Sequence, residues 1–188
     1  MPIDTKSDIL NAAEHMARST GFDGFSYADL ADSVGIRKAS IHYHYPTKGD
    51  LSLALIGRYR QVFLDRLAQI TARDTSAAAR LLAYLDLYRD ALDGGRSLCL
   101  CVALSVTQGA LPEATRADLA RFHRDVAQWL ETVFRLALSD GSIRAVADPK
   151  AAAQAALAQV EGALIMARAA TDHTRFEAAI DTLRARAI

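Results

Sequence analysis

The chain has 188 residues, 22 basic and 22 acidic side chains, a formal net charge of zero and a hydrophobic fraction of 51%. A chain of this length buries roughly 70% of its unfolded surface, so folding needs no disulfide or metal. The neutral total removes the simplest arguments for nucleic-acid binding and for a polybasic membrane binder. Asp4, Lys6, Asp8 and Glu14 break up the N-terminus, which does not read as a signal peptide. The longest uncharged stretch, Ser97 to Pro112, falls short of the ~20 apolar residues of a membrane helix. Cys99 and Cys101 are too few and too close for a disulfide framework. A cytoplasmic protein with no membrane partner is expected.

Alanine is abundant, proline is rare, and no run alternates β-branched with polar residues, so the expected fold class is all-α, with about nine helices. The first runs from about Ser7 to Ser19, with Ile9, Leu10, Ala13, Met16 and Ala17 at helical spacing. Ser26-Tyr27-Ala28-Asp29 has the form of a capping box opening a second helix to about Ser33. Gly35 stands at a tight turn, and a short third helix covers about Arg37 to Tyr43. Thr47-Lys48-Gly49-Asp50 is a second capping box that opens a long helix to about Ala72. Further helices are expected from near Asp74 to Leu92, from Leu98 to about Thr107, and to about Ser139 after the Gly109 to Pro112 turn. Asp148-Pro149, an N-cap followed by proline in the first turn, opens an Ala-rich helix to about Ala170. The last helix runs from about Asp172 to Ala187.

Phe25 to Leu51 has the layout of a helix-turn-helix, in which the second helix enters the major groove and the first braces against the backbone. Its residue types suit that task. Arg37 and Lys38 can reach guanine O6 and N7. Ser40 can bond a base or a phosphate, Tyr43 offers a ring and a hydroxyl, and Ala39 allows close approach to a thymine methyl. His42, His44 and Lys48 are candidates for phosphate oxygens, Lys48 from the first turn of its helix. Ser26, the cap of the bracing helix, is placed with this surface. Between Ser33 and Arg60 the basic residues Arg37, Lys38, Lys48, Arg58 and Arg60 face one acid, Asp50, a local charge of +4 in a neutral chain. A solvated charged face beside an ordinary helical hairpin would share that charge.

Ile9-Leu10-Asn11-Ala12-Ala13, Gly21-Phe22-Asp23-Gly24-Phe25-Ser26, Leu30-Ala31, Val34-Gly35-Ile36, Lys38-Ala39-Ser40-Ile41-His42-Tyr43-His44-Tyr45-Pro46-Thr47-Lys48 and Leu51 together resemble the DNA-binding head of the TetR family. The resemblance implies a homodimeric repressor that reads double-stranded operator DNA and binds an as yet unknown small-molecule effector in its second domain. It divides the chain into a head at 1–50 and an effector-binding and dimerisation domain at 51–188. By position, Arg37, Lys38, Ser40 and Tyr43 would face the operator, with His44 and Lys48 on phosphates. The family usually carries Tyr where this chain has His42, and often a small polar residue at Arg37. The histidine changes that contact and would make binding sensitive to pH where imidazole titrates.

The family pairs through its last two helices, which implies a dimer interface at Leu157, Val160, Leu164, Phe176, Ile180 and Leu183. The alternative for this stripe is an intramolecular core. Cys99 lies close to Arg96 near an expected helix start, which favours thiolate, and Cys99-Leu100-Cys101 with Leu111-Pro112 looks like a branch of the family that senses electrophiles or oxidants. The competing reading is two small buried hydrophobes. Phe63, Tyr84, Tyr88, Gln108, Phe122, His123, Trp129 and Met166 come from helices that would surround an effector cavity. No phosphate loop, metal-ligand pair or nucleophile elbow is present, so no enzyme activity, cofactor or metal is expected. The rival reading is a helical small-molecule or redox-sensing module without DNA function.

Overall fold

The computed structural model describes residues 4–107, 109 and 111–188. Among them are nine α-helices: α1 (Thr5–Thr20), α2 (Tyr27–Val34), α3 (Lys38–His44), α4 (Lys48–Arg73), α5 (Ala77–Leu92), α6 (Leu100–Ser105), α7 (Glu113–Asp140), α8 (Pro149–Ala170) and α9 (Thr174–Arg184). The all-α expectation holds. The chain forms two compact units, Met1–Gln61 with Leu100–Arg121 and Val62–Cys99 with Phe122–Ile188. No described helix is long and apolar enough to cross a membrane.

In the first unit α1 starts on Asp4, whose side chain accepts the Ser7 N–H at 3.3 Å, and buries Ile9, Leu10, Ala13 and Ala17. A 3-10 turn over Phe22–Gly24 follows, and the rings of Phe22 and Phe25 meet edge to face at 5.7 Å. α4 is tied back to α1 by Arg58, which donates to Asn11 Oδ1 and Glu14 Oε2, both at 2.8 Å. A buried hydroxyl pair, Ser52 with Thr115 at 2.9 Å, joins α4 to the start of α7.

In the second unit the first turn of α5 is capped from outside its own helix. Ala77 N–H donates to Asp140 Oδ2 at 2.7 Å and Ala78 N–H to Ser142 Oγ at 2.9 Å, while Ala79 N–H reaches the N-cap Ser76 at 3.2 Å. Three amides that a helix start leaves without partners are thereby satisfied. Asp148 caps α8, accepting from Lys150 N–H at 2.9 Å with Pro149 in the first turn, as the sequence predicts.

The Leu157, Val160 and Leu164 side chains of α8 and the Phe176, Ile180 and Leu183 side chains of α9 are all buried within this unit. The sequence reading gave these six residues to a dimer interface, and the structure corrects it: they form the chain's own core. They are the buried large apolar residues of their helices, and burying them needs no second chain, while Ile165 and Met166 of α8 stay exposed.

Glu177 of α9 accepts from Arg89 Nε of α5 at 2.5 Å and from Arg184 Nη2 at 2.8 Å. These bonds, the one from Arg89 first, hold the Glu177 carboxyl below its ordinary value. A carboxylate shifted down stabilises the fold above its unfolded pKa and loses that stabilisation as pH falls through the folded value. Glu177→Gln is therefore expected to cost about 1 kcal/mol at pH 7, modest because the pair is partly solvated. In urea melts the two proteins should converge as the pH drops below the ordinary glutamate range; a gap that persists there contradicts this origin.

Candidate functional site

α2 and α3 meet through a turn that the sequence specifies at each end. Ser26 Oγ lies 3.2 and 3.3 Å from the Ala28 and Asp29 N–H groups, and Asp29 Oδ2 takes the Ser26 N–H at 2.7 Å, completing the predicted box. The reciprocal bonds hold the Asp29 carboxyl below its ordinary value. α2 ends at Gly35 with φ 73°, a left-handed conformation; a Cβ there would meet nothing within 4 Å, so the backbone and not space requires glycine. Ile36 N–H returns to the Ala31 carbonyl at 3.0 Å, closing the helix end.

α3 is anchored by one fully buried side chain, Ile41, and by Tyr45 just beyond its end. Arg37, Lys38, Ala39, His42 and Tyr43 are exposed, and Ser40 and His44 are half-buried. Tyr43 is 84% exposed, an unusual setting for an aromatic ring, with its ring edge-to-face against His44 at 5.1 Å. Arg37 is the N-cap residue, so α3 begins one residue later than expected. Ser26, Lys38, His42, Thr47 and Lys48 lie along a groove of about 310 Å³.

Two of the predicted residues are held differently from expectation. Lys48 turns its ammonium inward, donating to the Phe22 and Phe25 carbonyls at 2.8 and 2.5 Å and lying over both rings at 5.0 and 4.5 Å. Burial lowers its pKa. Its first task is to fasten the 3-10 turn to the start of α4, where a phosphate contact was expected. His42 Nδ1 stands 3.1 Å from the Pro46 carbonyl, and the ring packs on Tyr27 at 4.9 Å. Since Nδ1 must donate to that carbonyl, the neutral ring presents only a lone pair at Nε2. A phosphate contact there requires imidazolium.

Lys48→Met is expected to lower stability by about 1.5 kcal/mol, the low end for bonds to a charged group because the ammonium is only half-buried. The salt dependence of DNA binding should stay unchanged. A slope reduced by about one per head would instead mark Lys48 as a phosphate ligand.

Tyr27 is a positioning residue that sequence reasoning missed. Its hydroxyl stands 2.8 and 2.7 Å from the Tyr45 and Thr47 carbonyls, and burial pushes its phenol up to about 12. It holds the segment that follows α3. Spacing within the capping box identified Ser26 and Asp29 but gave no sign of a bond spanning 18 residues.

In the second unit Phe63, Tyr84, Tyr88, Phe122 and Trp129 form one aromatic cluster. Phe63 lies 5.6 Å from Tyr88 and 5.1 Å from Phe122, and Tyr84 lies 5.1 Å from Tyr88 and 5.8 Å from Trp129. His123 extends it, 5.5 Å from Phe122, with Nε2 3.2 Å from Glu161 Oε1. Trp129 Nε1 donates to Thr71 at 2.9 Å. Other predicted residues fall elsewhere. Met166 is 57% exposed, because it lies on the outer face of α8, and so is removed from the set. Gln108 lies outside the described residues. Cys99 precedes α6, while Cys101 is on it and belongs to the first unit. Both thiols are fully buried, and the Arg96 guanidinium expected to activate Cys99 is held by Asp93 at 3.0 Å.

The comparisons with known proteins agree with this arrangement. A family model described as "Bacterial regulatory proteins, tetR family" matches residues 9–55, and one described as "Tetracyclin repressor-like, C-terminal domain" matches residues 77–183. The transcriptional regulator AcuR of Cereibacter sphaeroides is 30% identical over 167 residues, 87% of this chain and 75% of that protein. An uncharacterised HTH-type transcriptional regulator of Lactococcus lactis is 27% identical, covering 96% of this chain and 92% of that one. The crystal structure of a TetR-family transcriptional regulator from Agrobacterium tumefaciens superposes with a TM-score of 0.92 at 30% identity, covering 100% of this chain and 99% of that chain. The chain belongs to the TetR family and is a DNA-binding transcriptional regulator.

Proposed function

We propose that the chain works in the cytoplasm as a homodimeric repressor, without enzyme activity, released from a two-fold operator by a small molecule bound in its second unit. The observation that carries the DNA half of this reading is α3: seven residues, one buried anchor, and an outward face of Arg37, Lys38 and Tyr43. In this division residues 1–50 read DNA and residues 51–188 bind the effector and pair. Of the five cations between Ser33 and Arg60, Arg58 is neutralised by Glu14 and Lys48 is held by carbonyls, which leaves few for phosphates. Discrimination then rests on base contacts more than on counterion release.

Pairing is assigned to the outer face of α8. Ala151, Ala155, Ala158, Gly162, Ile165 and Ala169 are exposed and recur every three or four residues. A Cβ at Gly162 would meet nothing in its own chain, and glycine in a helix interior costs about 1 kcal/mol relative to alanine. Close approach by a second helix explains the glycine. Two heads on one axis would place their α3 helices about 34–36 Å apart, one turn of DNA. In the release step the effector changes the setting of α4, and only one separation of the heads fits the operator. A coupling of about 1–3 kcal/mol changes operator affinity about 5- to 150-fold. Light scattering should give twice the chain mass at micromolar concentration, and footprinting a two-fold symmetric site. A single-chain mass with an asymmetric footprint would contradict the proposal.

A further inference from the structure

His42 is exposed on α3 and opens onto the groove of about 310 Å³ that Ser26, Tyr27, Lys38, Pro46, Thr47 and Lys48 also line. Its ring is fixed from two sides. Nδ1 stands 3.1 Å from the Pro46 carbonyl, and the ring meets Tyr27 edge to face at 4.9 Å. A carbonyl only accepts, so Nδ1 keeps its proton in either charge state, and the second proton of an imidazolium goes to Nε2. The neutral ring turns a lone pair on any anionic oxygen at Nε2, whereas the imidazolium donates a charge-assisted bond to it. Protonation thus converts one atom from repelling a phosphate to binding one, with the ring held in place.

The groups around His42 leave that charge unmatched in the free protein. α2 contributes the Tyr27 phenol, pushed up to about 12 by burial and so uncharged. α3 contributes Lys38, exposed on the same groove, and the start of α4 contributes Lys48, whose ammonium is bound to the Phe22 and Phe25 carbonyls. His44, two residues on, lies against Tyr43. The acids of the adjoining elements, Asp23, Asp29, Asp32 and Asp50, are outside the lining, and Asp29 and Asp50 are engaged by Ser26 and Thr47. Among the described residues no carboxylate lines the groove. Two cations and no anion disfavour an imidazolium there, and a phosphate reverses that balance. We propose that operator binding takes up one proton per head at His42, whose imidazolium Nε2 donates to a backbone phosphate seated in the groove. The proton comes from solvent and returns to it on release. The inference rests on the reading of α3 as the helix that faces DNA. The sequence leaves the sign of a pH effect open, and the fixed tautomer settles it. A base whose pKa is higher in the complex strengthens binding below its free value and loses that contribution as pH rises through the bound one. Acid therefore tightens the hold on the operator and opposes release.

The test is equilibrium binding of the full-length protein to the operator duplex selected from a random pool, across the range of about pH 5 to 8 where imidazole titrates. An opposite charge in contact raises the imidazole pKa by about one unit or more, and each unit is tenfold in affinity. Affinity should therefore rise about tenfold per head from the top of the range to the bottom, about a hundredfold for a dimer. A salt series at each end supplies a second readout. The slope should steepen by about 0.9 per head in acid, because each imidazolium displaces one more counterion. His42→Gln should flatten both responses; the side chain is exposed, so the variant keeps the fold, which unchanged circular dichroism verifies. A merely structural histidine would change affinity equally at every pH and move neither response. Specific binding that is flat with pH, acid tightening that survives His42→Gln, or tightening with no change in the salt slope would each overturn the proton linkage and leave DNA reading by α3 intact. Absence of sequence-specific binding at every pH would overturn that reading and the linkage with it.

Discussion

Alanine at Lys38 and Tyr43 together is expected to abolish the distinction between operator and random DNA. Both side chains leave the same exposed face of α3, and neither contributes to the core: Lys38 is exposed and Tyr43 is 84% exposed. Their removal should leave the melting temperature within about a degree or two, since surface substitutions away from special features cost within about 0.5 kcal/mol. A side chain that contacts a base contributes roughly 1–3 kcal/mol of discrimination. A dimer loses each contact twice, so the double variant should bind its operator on the order of a thousandfold more weakly or worse. Binding to non-operator duplex should fall far less. The test is a competition titration with labelled operator against random duplex. A uniform loss on both would mean that these residues serve only as charge.

Arginine at Gly162 is expected to separate the dimer. Gly162 lies mid-helix on the outer face of α8 with open space where its Cβ would be, so the single chain tolerates the larger residue. Glycine is also the poorer helix former, and its replacement should hold or raise the stability of the isolated chain. Against a second helix packed on the same face, a buried guanidinium without a partner is strongly unfavourable. Sedimentation should show single chains at concentrations where the parent is paired. Operator affinity should fall by about a hundredfold or more, because the second head no longer binds at a high effective concentration. A variant that remains dimeric would place the interface elsewhere. Substitutions at Val160 or Leu164 would not make this distinction, since both side chains are in the core of the chain and their loss would disturb its folding.

The parts legible in the sequence were those written in local spacing. Ser26 with Asp29, Thr47 with Asp50, and Asp148 with Pro149 each specify a helix start over a few residues, and each forms the bonds expected of it. Gly35 marks the turn between α2 and α3 for a similarly local reason, its positive φ. Lys48 was less legible, because its carbonyl partners at Phe22 and Phe25 are more than 20 residues away and converge only in the fold. The α8 stripe was misassigned because this helix has two apolar faces. Periodicity weights Leu157, Val160 and Leu164 most heavily, and the core takes the larger face. The face left outside is made largely of alanine and glycine, which carry little hydrophobic signal. In the cluster, Tyr84 and Tyr88 were named for the helix they come from, but only the structure shows their rings 5.1 Å apart and fully buried.

The most direct test of DNA reading by α3 is equilibrium binding of the full-length protein to duplexes selected from a random pool. The predicted result is enrichment of a two-fold symmetric sequence, bound as a dimer about a thousandfold or more tightly than random duplex. Alanine at Lys38 and Tyr43 should remove this preference while the protein stays folded and paired. Selection that enriches no sequence, or a preference that survives the loss of both side chains, would contradict it.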